Sequence, residues 1–229
     1  MRDVACAALE CPTPRKPRHA LQVVRLPAPR ASHIKRTGAG EGQRGGQPGR
    51  GVESYFYPMH LRALEPDDLE FLYALENDPD IWGVSDTLAP VSRHALREYL
   101  EHASADFYVV RQLRLVVTTE ISGPPVGVVD LFDFDPLHQR AGVGITILAS
   151  ERQNGYARQA LELLKNHARN ALRLHQIYAT VGSDNLPSLR LFEVAGFRRV
   201  GTRLAWLRTP AGWLDAVEWQ CILTTPNGI

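Results

Sequence analysis

The segment ERQNGYARQALELL, from Glu151 to Leu164, joins a turn-prone polar run to a helix with an apolar stripe. Leu161 and Leu164 belong to that stripe, whose helical spacing predicts a helix packed on a core. Gly155 stands where the helix begins. The first turn of a helix leaves N–H groups unpaired and carries a partial positive charge, so a glycine there lets the backbone close on an anion.

The chemistry of this loop narrows the anion that it could hold. It lacks the lysine and hydroxyl of a nucleoside-triphosphate loop and the glycine spacing of a dinucleotide loop. A pyrophosphate held mainly by backbone N–H groups remains, with Arg152 and Arg158 nearby. The alternative is an ordinary loop in front of a core helix, and the loop alone does not decide between the two.

On either side of this loop, strand and helix patterns alternate and indicate a mixed α/β fold. The predicted order is β-α-α-β-β-β-α-β-α-β-β, with antiparallel strands first and one crossover helix between two neighbouring strands. The predicted strands are 60–64, 113–117, 126–134, 141–149, 176–182, 197–208 and 213–224. The predicted helices are 66–76, 92–100, 156–172 and 186–195, with Pro66 and two acids opening the first and Ser92 as the cap of the second.

The first quarter of the chain differs from the rest. Residues 1–58 carry ten Arg and Lys against four acids, whereas residues 59–229 carry sixteen against twenty-one. We predict a disordered basic Pro/Gly/Arg-rich segment over 1–57 and a folded domain over 58–225. The segment is a basic tail, a transit peptide, or a stretch that is not translated because synthesis starts at Met59. A tail of this kind is the only feature that favours contact with nucleic acid.

The three cysteines, at positions 6, 11 and 221, form neither a metal-binding spacing nor an even disulfide set. No apolar run approaches the ~20 residues of a membrane span, and the N-terminus lacks the apolar core of a secretory signal. We therefore expect a cytoplasmic protein without a metal.

Two motifs together resemble a known family. Arg152, Gly155 and Ala157 fit [Q/R]-x-x-G-x-[G/A], and DNLPSLRLFEVAGF (184–197) fits the family's N-x-x-S-x-x-L-[YF]-x-x-x-G-F. Both are typical of the GNAT N-acetyltransferases, which the chain resembles over about residues 59–224. Within that family it is most similar to the polyamine and ribosomal-protein acetyltransferase branch, which shares the GVVDL strand and the turn of His138 and Arg140.

The resemblance implies a fold and a donor. The fold is a mostly antiparallel twisted sheet, splayed between strands 141–149 and 176–182, with helices on both faces. The donor is acetyl-CoA, whose thioester oxygen a backbone N–H near Ile147 or Leu148 would hold, while Asn185 would bond the pantetheine arm. The implied CoA-binding residues are Ile147, Leu148, Arg152, Gln153, Asn154, Gly155, Tyr156, Ala157, Asn185, Ser188 and Phe192.

The sequence departs from the family at two positions that matter for proton transfer. Gly142 stands where many relatives place a glutamate base, and Phe192 stands where many place a tyrosine acid. Ser188 or Asp130 could substitute as catalytic groups, although Ser188 also fits a backbone-bonding role at a helix start. His138 is a third option, or a plain turn residue.

Carboxylates and aromatic residues suit an alkylammonium, so residues of these types are the candidates for binding the acceptor amine. The candidates are Trp82, Asp86, Asp130 and Asp133. We predict an acetyltransferase for a small cationic amine such as a polyamine. The alternatives are a non-catalytic acyl-CoA sensor, or an acetyltransferase for protein N-termini or lysines, and a homo-oligomer is one option for assembly.

Overall fold

The computed structural model describes residues 59–79 and 89–223. The predicted basic segment over 1–57 and the acceptor candidates Trp82 and Asp86 lie outside these residues, so those predictions stay open.

Within the described residues, seven strands form one sheet: β1 (His60–Arg62), β2 (Leu113–Thr118), β3 (Pro125–Asp135), β4 (Arg140–Ile147), β5 (Gln176–Gly182), β6 (Arg198–Thr209) and β7 (Gly212–Ile222). Their order in the sheet is β1-β2-β3-β4-β5-β7-β6. All neighbours are antiparallel except β4 and β5, which run parallel. The helix between those two strands is the predicted crossover.

The helices are α1 (Leu69–Glu76), α2 (Arg93–Glu101), α3 (Phe107–Val110), α4 (Tyr156–Asn170) and α5 (Leu186–Val194), with 3₁₀ turns at Pro66–Asp68 and Ala149–Glu151. The predicted cap of α2 is confirmed, because Ser92 Oγ accepts the N–H of Ala95 at 3.2 Å. Helix α3 was not predicted from the sequence; it is a single turn that Asp106 caps by accepting two backbone N–H groups.

Helices cover both faces of the sheet, as predicted. On one face α4 contributes Leu161 and Leu164 to the main core. On the other face a smaller core joins Leu72 of α1 and Leu96 of α2 to Val128 of β3. Burial of these apolar side chains is the main force that fixes each helix on the sheet.

The predicted splay of the sheet lies between β4 and β5. Their pairing covers Arg140–Gly142 of β4 against Gln176–Tyr178 of β5 and ends there. The five remaining residues of β4 pair only with β3, so a V-shaped opening begins after Gly142 and widens toward Ile147 and Gly182. The fold prediction is confirmed.

Candidate active site

The loop before α4 leaves its helix start open. Gly155 adopts φ 77°, and no described side chain caps the helix. By contrast, α2, α3 and α5 each begin with a side-chain cap. The first N–H groups of α4 are therefore available to an anion, and the helix dipole favours one.

The polar residues of the loop shape its backbone. Arg152 Nε donates to the carbonyl of Ile147 at 3.1 Å, so this side chain ties the loop to the end of β4. Gln153 has a positive φ of 69°, and Asn154 Nδ2 donates to the carbonyl of Glu151 at 3.3 Å. These contacts fix the shape of the loop backbone in front of α4. A loop of fixed shape before an uncapped helix start fits the predicted pyrophosphate site.

The direction of the β4 amides follows from its ladder with β3. Leu148 N–H donates to the carbonyl of Val126 at 2.9 Å, on the β3 side. Because N–H groups alternate in direction along a strand, the N–H of Ile147 faces the opposite side, toward β5. Of the two residues predicted to hold a thioester oxygen, Ile147 therefore faces the opening.

The second motif lies on the β5 side of the same opening, since Asn185 follows the end of β5 by three residues. Its Oδ1 accepts the N–H of Ser188 at 3.1 Å and caps α5. Ser188 and Phe192 are both 0% exposed. Phe192 packs edge-on against Phe197 at 4.9 Å. The fold thus brings the two motifs to opposite sides of one opening, with Phe192 facing the core.

The missing carboxylate at Gly142 has a structural cause. Gly142 pairs with Phe132 across the β3–β4 ladder, and a Cβ on Gly142 would collide with the Phe132 ring. The same ring packs edge-on against Tyr178 of β5, with centroids 6.5 Å apart. Phe132 therefore occupies the space into which any side chain at position 142 would project.

Asp130 belongs to a buried ion-pair network. Its Oδ1 accepts from Arg114 Nε at 2.6 Å, and Arg114 Nη1 reaches Glu76 Oε1 at 2.5 Å. Asp130 is 2% exposed. Burial lowers the pKa of Arg114, but its two carboxylate partners outweigh that effect and raise the pKa well above the usual value. Because Asp130 is buried and does not line the cavity described below, an acceptor cannot reach it to transfer a proton.

An open cavity of about 610 Å³ lies on the sheet face that Phe132 and Tyr178 share, beside the point where β4 and β5 separate. Among the residues that line this cavity, Asp133 was predicted from the sequence as an acceptor-binding residue, whereas Tyr178 and Glu218 were not. Neither stands in a motif, and only the register of β5 with β7 brings them together. The lining residues are Asp133, Asp135, Arg140, Gln176, Tyr178, Val200, Arg203, Glu218, Trp219 and Gln220.

The turn after β3 explains two further sequence candidates. The backbone N–H groups of Leu137 and His138 both donate to Asp135 Oδ1 at 3.1 Å. The hydrogen bond from His138 is the main reason that the pKa of Asp135 lies below its usual value. His138 thus contributes its backbone to a turn.

Residues 59–198 match the family described as Acetyltransferase (GNAT) domain. The chain is 28% identical to a spermidine N(1)-acetyltransferase of Vibrio cholerae over 146 residues, which are 62% of this chain and 80% of the relative. It is 26% identical to the Escherichia coli (strain K12) enzyme of the same name over 62% of this chain and 73% of that protein.

A solved structure has the same fold. The spermidine N-acetyltransferase from Vibrio cholerae in complex with CoA and spermine superposes with a TM-score of 0.64 at 25% identity, covering 72% of this chain and 95% of that one. Among the residues described here, no helix is both long and apolar enough for a membrane span, and no cluster of side chains suits a metal ion.

Proposed function

This chain belongs to the GNAT acetyltransferase family, and from that membership we propose that it transfers an acetyl group from acetyl-CoA to a primary amine of a polyamine such as spermidine. The similarity to spermidine N-acetyltransferases over about 146 residues is the observation that carries the choice of acceptor. The acidic balance of residues 59–229 supports a polycationic substrate, because it attracts positive charge over distance.

The donor would bind along the opening between β4 and β5. The uncapped start of α4 suits the pyrophosphate, and the gap beyond Gly142 suits the pantetheine arm. The N–H of Ile147 would bond the thioester oxygen and stabilise the negative charge that grows on it during attack. Asn185 and Ser188 would border the arm from the start of α5.

The reaction needs no covalent enzyme intermediate. The acceptor ammonium first loses a proton, because its pKa of ~10.4 keeps it charged at neutral pH. The neutral nitrogen then attacks the thioester carbon, a C–N bond forms and the C–S bond breaks. CoA leaves as thiolate or thiol, and the amide product loses the second proton of the nitrogen.

Thiol release from acetyl-CoA tests this function on the full chain. We expect turnover with spermidine and spermine, and at least about tenfold lower kcat/KM with a monoamine of similar length. Turnover with peptides alone would establish the protein N-terminal or lysine acetyltransferase. Acetyl-CoA binding without turnover on any amine would establish the sensor.

A substitution in the loop tests donor binding, and a matched substitution on β6 serves as its control. Gly155→Val places a β-branched residue at φ 77°, which strains the backbone that would contact the pyrophosphate. We expect weaker acetyl-CoA binding by calorimetry. Gly201→Val, on the exposed strand β6, should leave acetyl-CoA binding unchanged, because no atom lies within 4 Å of a Cβ added there. Equal affinity of Gly155→Val would mean that the loop does not hold the donor.

A further inference from the structure

We propose that the carboxylate of Glu218, on β7, accepts the proton of the acceptor ammonium and so replaces the β4 carboxylate that Phe132 excludes. This inference rests on the proposed acetyl transfer and adds the residue that makes the amine nucleophilic. It also identifies the cavity beside Tyr178 as the place where the reacting amine enters.

The strand register places Glu218 at the start of the opening. Tyr178 is the last residue of β5 that pairs with β4, and Thr180 lies two residues further along β5. Glu218 is the partner of Thr180 across the β5–β7 ladder. Because side chains alternate along a strand, Tyr178, Thr180 and Glu218 project from the same face, which is the face of the cavity.

Two side chains hold the carboxylate in place. Thr180 Oγ1 donates to Glu218 Oε1 at 3.0 Å, which draws the carboxylate over β5 toward the opening. Arg203 Nε reaches the same oxygen at 3.0 Å. Among the described residues both contacts fall on Oε1, which leaves Oε2 for the acceptor. The Glu218 side chain is 16% exposed, so it is partly shielded from water but open to the cavity.

The surrounding groups suit a cation that must give up a proton. Asp133 and Asp135 of β3 line the same cavity, where they could hold a distal ammonium of the same molecule. Arg140, which pairs with Asp135 at 3.2 Å, and Arg203 also line it. Burial, followed by the charge of Asp133, raises the pKa of Tyr178. Its hydroxyl therefore stays protonated at neutral pH and can donate a hydrogen bond to the nitrogen under attack.

The proposed step balances as a simple proton transfer. The ammonium and the Glu218 carboxylate become a neutral amine and a carboxylic acid. The amine nitrogen then forms its bond to the thioester carbon as the carbon–sulfur bond breaks, and the second proton of the nitrogen passes to the departing thiolate. Glu218 returns the first proton to water, so the carboxylate is regenerated for the next turnover.

Glu218→Gln tests the role, because the amide keeps the size of the side chain but cannot take the proton. With spermidine we expect kcat to fall about 10²- to 10⁴-fold, the usual contribution of a positioned base. The affinity for acetyl-CoA should stay within twofold by calorimetry. Glu120→Gln makes the same chemical change in the exposed β2–β3 turn and should leave kcat unchanged.

The basicity of the acceptor separates a base from a structural residue. Trifluoroethylamine is mostly neutral at pH 7.5, so it needs no base before attack. We expect Glu218→Gln to lose at least about tenfold less activity with this amine than with ethylamine, its fluorine-free counterpart. An equal loss with both amines would overturn the proposal, as would full activity of the variant on spermidine.

A second variant and the activity of the natural chain separate failure of this inference from failure of the proposed function. Thr180→Val removes one hydrogen bond to Oε1 at nearly constant shape, and we expect a loss of about 3- to 10-fold that again shrinks with trifluoroethylamine. This variant carries the test if Glu218→Gln does not fold, and an unchanged rate would then overturn the role. Absence of turnover by the natural chain on every amine would instead remove the proposed function, and this inference with it.

Discussion

Position 142, where the opening between β4 and β5 begins, has no room for a side chain. Because the Phe132 ring lies against it, any side chain at this position must displace that ring and, with it, the edge-on contact to Tyr178. A glutamate introduced here would therefore disturb the cavity wall before it could act as a base. The absence of the usual carboxylate follows from packing, and it does not by itself indicate a loss of catalysis.

Gly142→Ala should lower the free energy of unfolding by about 1–3 kcal/mol, because the added methyl overpacks the contact with Phe132. Phe132→Leu combined with Gly142→Ala should recover part of that loss, since the smaller side chain makes room. Urea unfolding of both variants and of Phe132→Leu alone measures the coupling. Strict additivity of the two changes would show that the clash is not the cause.

The residues of the two motifs could be predicted because they stand at fixed spacings within one stretch of chain. Gly155 follows the end of β4 and Asn185 follows the end of β5, the two strands between which the sheet opens. Glu218 could not be found in that way, because its place depends on which strand lies next to β5. In the sequence it is one of several polar residues alternating along the last hairpin, and only the pairing with Thr180 distinguishes it.

At the scale of elements, Arg114 connects α1, β2 and β3. Its guanidinium bonds Glu76 at the end of α1 and Asp130 on β3, and its side chain is 5% exposed. Removing the cation leaves two carboxylates without their shared partner in a buried place, which costs far more than the loss of an exposed pair.

We expect Arg114→Met to lower the free energy of unfolding by about 3–5 kcal/mol. Arg93→Met is the matched control, because Arg93 also makes two bonds to a carboxylate, that of Glu70, but at the surface. Its cost should be well below that of Arg114→Met, because exposed ion pairs contribute little to stability. Similar losses in the two variants, measured by urea unfolding, would contradict the view that the Arg114 network holds the three elements together.

Asp68 links β1 to the 3₁₀ turn before α1. Burial raises the pKa of its carboxyl, but the hydrogen bonds from Arg62 and from the N–H of Glu65 outweigh that effect and lower the pKa overall. A group with a lowered folded-state pKa adds stability above its unfolded pKa of ~3.9, and that stability is lost as the pH falls through the folded value.

Asp68→Asn should therefore be less stable than the natural chain at pH 7, and the difference should shrink as the pH falls below about 4. Thermal unfolding followed between pH 2.5 and 7 provides the measurement. Asp67→Asn changes the neighbouring exposed carboxylate and should leave the pH profile in place. A constant difference between Asp68→Asn and the natural chain at every pH would contradict this linkage.

The elements themselves were largely predictable, since long runs with a clear period define β3, β5 and α4. The predicted splay and the order of strands and long helices along the chain also agree with the structure. The missed helix α3 has four residues, too few for a helical period to appear, and its start depends on the cap that Asp106 provides. β1 ends at Arg62, earlier than predicted, where the chain turns toward Pro66.

At the scale of the whole molecule, charge is unevenly distributed along the chain. The full sequence carries a net charge of +1, whereas residues 59–229 hold sixteen basic and twenty-one acidic residues. The part of the chain that contains the opening and the cavity thus attracts cations, and the excess of basic residues in 1–58 more than offsets its negative charge. Attraction of this kind acts on the approach of the substrate and is screened by salt.

Removal of residues 1–58 should therefore leave kcat unchanged and raise kcat/KM for spermidine about two- to fivefold at low ionic strength, because the remaining chain is more acidic. The gain should disappear in about 0.5 M NaCl, where the Debye length is only a few ångströms. A neutral acceptor such as trifluoroethylamine should show no gain at any salt concentration. Loss of kcat on truncation would instead mean that the N-terminal segment takes part in the fold or the site, which would overturn the predicted boundary near residue 58.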